Sequence, residues 1–112
     1  MVLYKFNMGY IMAVKRGLAS FQKAVAAAGT AEALKASSLL VKKAKLKALG
    51  TNTDLIYLGD SSVSSTVGYA LAAGDEIDLH ELYHADGFAL DLAEIYIDAA
   101  VNGEGVSVLY LV

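Results

Sequence analysis

Residues 43–48 read Lys-Ala-Lys-Leu-Lys-Ala, charged and apolar side chains in strict alternation. Ala, Leu and Lys are good helix formers, so propensity alone assigns a helix. The spacing argues otherwise. Successive helical residues lie ~100° apart, so Lys42, Lys43, Lys45 and Lys47 would surround the axis and leave no apolar face. On a strand, Lys43, Lys45 and Lys47 share one side, and Ala44, Leu46 and Ala48 the other. Residues 39–49 are therefore predicted as a strand. Residues 21–28 are predicted as another, with Gly29-Thr30 breaking the stretch between them.

The same two-residue rhythm recurs later. Residues 50–54 (Gly-Thr-Asn-Thr-Asp) form a turn, 55–58 a short apolar strand, and 61–66 a polar loop after Gly59-Asp60. Ile77 and Leu79 alternate with Glu76, Asp78 and His80 beyond the turn Ala73-Gly74-Asp75. Asp86-Gly87 turns again. Ala93, Ile95, Ile97 and Ala99 then alternate with Glu94, Tyr96 and Asp98. Asn102-Gly103 tolerates positive φ, and residues 106–112 return as an apolar strand, a pattern that predicts a hairpin. Short strands with turns every 8–12 residues predict an all-β fold, an antiparallel β-sandwich or jelly-roll-like domain.

At 112 residues the chain has the size of one domain. Residues 1–17 are set apart as an N-terminal arm and 18–112 as the sandwich. Met1, Met8 and Met12 each offer a start, and Met12 is a natural one. Hydrophobic residues make up 56% of the chain and its mean hydropathy is +0.47. A solvated domain averages about 45–50% apolar residues, so part of the excess is expected at subunit contacts. Without cysteine there is neither a disulfide framework nor a thiolate metal site. No apolar run reaches the ~18 residues a membrane helix needs, and the first residues make a poor signal peptide. All nine bases precede residue 48, and eleven of the twelve acids follow residue 50. The two halves can neutralise each other, within one fold or between copies. The bases alternate with apolar residues and lack interleaved aromatic platforms, so no nucleic-acid partner is expected.

In order, the chain shows Gly29-Thr-Ala-Glu-Ala-Leu34, the lysine strand, and Asn52-Thr-Asp-Leu-Ile-Tyr-Leu-Gly-Asp-Ser-Ser-Val63. Gly68, Leu71-Ala-Ala-Gly-Asp75 and Ile95-Tyr-Ile-Asp98 follow. This succession, over residues ~20–112, resembles the small β-sandwich structural proteins of tailed bacteriophages at the level of strand and turn order. Family members often carry Gly where this chain has Asp54. The resemblance implies a capsid decoration protein at the virion surface, made in the host cytoplasm, or a neck- or tail-associated adaptor. It implies the major capsid protein or another virion protein as partner, and a homo-oligomer; no membrane, no cofactor and no catalysis are expected of the chain. Compactness without heptads favours the head.

Eight residues are expected at interfaces. Lys43, Lys45 and Lys47 can meet acidic rows on a neighbour, or form a solvated face. Tyr110 and Val112 lie on a terminal strand that can add to another subunit's sheet, or be an ordinary inner strand. Tyr4, Phe6 and Tyr10 of the arm can clamp a neighbour.

The competing reading is a zinc hydrolase. His80-Glu81-Leu82-Tyr83-His84 is a literal H-E-x-x-H, which on a helix places two imidazoles on one zinc beside a general base. Gly87 fits the longer pattern, but Leu90 stands where a third ligand belongs. Asp91 is one residue late, and Glu104 lies between two glycines. The flanking alternation argues for a strand, on which His80 and His84 would stand ~13 Å apart. Tyr57, Tyr69, Tyr83, Tyr96 and Tyr110 can form a carbohydrate-binding stripe or serve as core and rim residues.

Overall fold

The computed structural model describes residues 17–79 and 89–112 in full, and before them the backbone of residues 2–6 and 9–13. The fold is all-β, and every described strand pairing is antiparallel. The strands are β1 (Val2–Phe6), β2 (Gly9–Ala13), β3 (Leu18–Ala24), β4 (Glu32–Ala33), β5 (Leu40–Val41) and β6 (Lys43–Ala48). They continue with β7 (Ile56–Gly59), β8 (Tyr69–Leu71), β9 (Glu76–Asp78), β10 (Leu90–Asp91), β11 (Tyr96–Ala99) and β12 (Gly105–Leu111).

Two four-stranded sheets, ordered β3-β12-β6-β9 and β4-β11-β7-β8, form the sandwich. Their inner faces bury Ala44, Leu46, Ala48, Val106 and Val108 from the first sheet and Ile56, Leu58, Leu71, Ile97 and Ala99 from the second. Alternation decides which side chains go inward. Along β6 the three lysines are exposed while Ala44, Leu46 and Ala48 are buried, as the sequence rhythm requires. β5 and β10 pair as a separate two-stranded sheet.

Several expectations change. The stretch 39–49 is not one strand: it breaks at Lys42, whose N–H donates to the Leu111 carbonyl, so β5 joins β10 while β6 joins β12. The strand expected over 21–28 runs instead from Leu18 to Ala24. The arm contains a hairpin, with Tyr4 opposite Ile11 and Lys5 opposite Tyr10.

The expected pairing around Asn102-Gly103 is also corrected. Gly103 has φ +84°, the positive value foreseen for the turn. Yet β11 and β12 do not pair with each other. β11 lies between β4 and β7, and β12 between β3 and β6, so the turn carries the chain from one sheet to the other. Both strands then bury an apolar face against the shared core. The arch is fastened to residues 25–29: Gly103 N–H donates to Val25 O (2.7 Å) and Ala28 N–H to Asn102 Oδ1 (2.7 Å).

Asp98 also departs from expectation. The alternation assigned it outward, but it is 2% exposed. Its Oδ1 accepts from Gly29 N–H (2.9 Å) and from its neighbour Ala99 N–H (2.7 Å). A buried carboxylate persists where donors replace its water.

Candidate interaction surface

The outer face of β3-β12-β6-β9 collects most of the lysine residues singled out by sequence. Register sets Leu18, Leu111 and Lys43 in one row across the sheet. Ser20, Leu109, Lys45 and Asp78 form the next, and Gln22, Ser107, Lys47 and Glu76 the third. Apolar side chains thus lie beside a column of cations, and that column lies beside a column of carboxylates.

The cations are answered first from within the sheet. Lys45 Nζ lies 3.0 Å from Glu76 Oε2, and Lys47 Nζ 4.0 Å from Glu76 Oε1. The hydrogen bond and the charge of Lys45 hold the Glu76 carboxyl below the usual carboxylate range. These pairs are half exposed and contribute little to stability. Their effect is to draw the lysines toward β9 and leave the apolar column uncovered.

That column is unusually open. Leu18 is 65% exposed and Leu109 44% exposed. Together with Lys43, Lys45, Asp78 and Leu111 they line a shallow groove of about 170 Å³. A leucine on a sheet face normally packs against a second layer. Here the second layer lies on the opposite side of the sheet, and among the described residues none covers Leu18 or Leu109.

The other expected interface residues are distributed differently. Tyr110 is half-buried and alternates with Val106 and Val108 toward the core side. Its ring meets Phe21 edge-to-face, with centroids 5.9 Å apart, and the Lys35 ammonium sits 4.2 Å from the Phe21 centroid. Val112 is 46% exposed, just past β12. β12 is an inner strand, flanked on both sides, so its main chain is already paired. Tyr4 and Phe6 fall on β1 and Tyr10 on β2; their side chains lie outside the described part of the structure.

Sequence reading missed Leu18 and Leu109. Residues 106–112 are apolar at nearly every position, so hydropathy does not tell which side faces out. Only the partner does: Leu109 stands opposite Lys45, and the lysine phase marks the outer face.

The remaining carboxylates act as fasteners. Glu32 accepts from Lys23 Nζ (3.0 Å) and Ala26 N–H (2.7 Å), and the Lys23 hydrogen bond draws its pKa down. Glu104 accepts from the Thr53 and Asp54 amides and from the Thr53 hydroxyl, which lowers it in the same way. Asp91 accepts from Ser38 Oγ, Leu39 N–H and Ala93 N–H. Carboxylates engaged by backbone amides in this way tie loops to the sandwich. These bonds give Asp91 and Glu104 structural roles. His80, Glu81 and His84 lie outside the described residues. Among the described residues no group of three His, Asp or Glu side chains is placed to hold a metal ion. Of the tyrosine stripe, Tyr69 is exposed, while Tyr57, Tyr96 and Tyr110 are half-buried.

Comparison with protein-family models, with curated proteins and with solved structures found no match.

Proposed function

We propose that this chain is a structural protein of a tailed-bacteriophage virion, a decoration protein that binds the outside of the head through protein–protein contacts. The observation that carries the reading is the open apolar column Leu18–Leu109 with lysines beside it. Such a face fits a partner surface that is apolar at its centre and acidic at its rim. The resemblance of its strand and turn order to that of phage sandwich proteins favours a capsid protein as that partner. The sandwich is a rigid platform, since its loops are tied down by Glu32, Asp91, Asp98 and Glu104. Rigidity favours binding because little chain entropy is lost on docking.

The test is to assemble shells from tailed-phage major capsid proteins and to add the purified protein. Co-migration with shells in a density gradient, at a fixed ratio to the capsid protein, supports the reading. Protein that stays at the top of the gradient contradicts it. Binding to isolated connectors or tails, but not to shells, moves the chain to a neck or tail position.

A further inference from the structure

We infer that two copies of this chain join edge to edge through β3, making one continuous eight-stranded sheet across a twofold axis. In the two large sheets the edge strands are β3, β9, β4 and β8. Three of them are short: β4 has two residues, and β8 and β9 three each. β3 has seven. Short edges, charges, prolines and bulges are the usual devices that stop strands from pairing with other chains. β9 carries Glu76 and Asp78, so its own copy is repelled. Of these devices β3 has only one charge. It contains no proline or glycine, and its outward side chains are Leu18, Ser20, Gln22 and Ala24. Its one charge, Lys23, is turned to Glu32.

The hydrogen-bond phase shows which groups the edge offers. Val112 N–H donates to Gly17 O, and Val25 N–H to Glu104 O. Residues 17 and 25 therefore point their main-chain groups at the β12 side. By the alternation of an antiparallel ladder, residues 19, 21 and 23 do the same, and 18, 20, 22 and 24 point theirs away from it. Among the described strands, β3 pairs with β12 alone. The outward N–H and C=O groups thus form an open row along the whole strand.

The occupant that fits this row is a second copy. Antiparallel pairing centred on Phe21 places Leu18 opposite the copy's Ala24 and Ser20 opposite its Gln22. Every outward group then meets an outward group, for about eight main-chain hydrogen bonds. Phe21 faces Phe21 across the axis, and Lys23 faces Ala19, so no like charges are opposed within the two paired strands. A twofold interface must be self-complementary in this sense. The twofold lies perpendicular to the sheet, so both outer faces stay on one side and their Leu18–Leu109 columns form one surface.

The test uses the full chain in analytical ultracentrifugation across the micromolar range. Wild type is expected to sediment as a dimer. Ser20→Pro removes a donor that points away from β12, so the monomer loses no ladder bond while the edge is blocked. It is expected to sediment as a monomer with an unchanged β-type circular dichroism spectrum. Should that variant fold poorly, S20K/Q22K sets lysine opposite lysine and gives the same expectation; mixing it with S20E/Q22E restores a dimer. A wild type that stays monomeric throughout, variants that remain dimeric, or a mixture that stays monomeric each overturn the inference. It also separates from the virion reading: a monomer that still loads onto shells removes only the dimer, and a dimer that ignores shells removes only the decoration role.

Discussion

The side chain of Asn52 and the backbone of Gly105 bond to each other twice, with Asn52 Nδ2 donating to Gly105 O at 2.9 Å and Asn52 Oδ1 accepting from Gly105 N–H at 3.2 Å. Asn52 sits in the turn before β7, and Gly105 opens β12. Gly105 O also accepts from Leu49 N–H (3.1 Å), so the amide completes the ladder at Gly105 N–H. Both residues are buried, so neither group of Gly105 has water to fall back on. Asn52→Ala is expected to destabilise the fold by about 1–3 kcal/mol, because the buried Gly105 N–H loses its partner while Gly105 O keeps the Leu49 N–H. Urea unfolding monitored by circular dichroism measures it. A loss below ~0.5 kcal/mol would show that the pair is incidental.

Gly105 and Gly103 separate two reasons for glycine. A Cβ on Gly105 would overlap the Lys23 carbonyl oxygen, a backbone atom that cannot swing aside. Gly105→Ala is therefore expected to push β3 from β12 and cost about 3 kcal/mol or more. A Cβ on Gly103 meets nothing within 4 Å, and the cost there comes only from φ +84°. Gly103→Ala is expected to cost about 1–2 kcal/mol. Thermal unfolding of the two variants should rank them in that order.

The β6 rhythm gives a direct contrast between neighbours. Leu46 is fully buried between the sheets. Leu46→Ala is expected to cost about 2–5 kcal/mol, the sum of lost transfer energy and a residual cavity. Lys45→Ala removes a half-exposed ion pair and should cost under about 1 kcal/mol. Equal effects from the two would mean that β6 does not alternate as described.

Acid sensitivity follows from Glu32, Asp91 and Glu104, whose pKa values are all held below the ordinary range by hydrogen bonds. Such a group binds more protons unfolded than folded. Its stabilisation is complete above the unfolded pKa and is lost as pH falls through the folded one. Urea midpoints should be flat near neutrality and fall once pH drops below the ordinary glutamate value of 4.5. Glu32→Gln should be less stable than wild type at neutral pH and show a shallower acid decline. A decline as steep as wild type would place the acid sensitivity elsewhere.

Strand existence was legible in the sequence wherever one side of a strand is charged. β6 announced its phase through three lysines, and Ile97 and Ala99 were placed in the core correctly. What was not legible depends on distant partners. Asn102-Gly103 specified a turn but not the sheet that the next strand joins; that depends on β3 and β6, far away in the chain. Asp98 looked solvent-facing because the amide that holds it belongs to Gly29, 69 residues earlier. Leu109 was hidden inside an apolar run with no internal phase. The lysine row was foreseen as a shared face, while its partner Glu76 became apparent only once β9 was seen beside β6.

The open Leu18–Leu109 column carries the functional account, and one measurement addresses it most directly. Shell binding is compared between wild type and a Leu18→Ser/Leu109→Ser double variant by gradient co-migration. Both positions are exposed, so folding stability should change by no more than ~0.5 kcal/mol per site. The expected result is a folded double variant that no longer loads onto shells. A folded double variant that loads as fully as wild type would contradict the account.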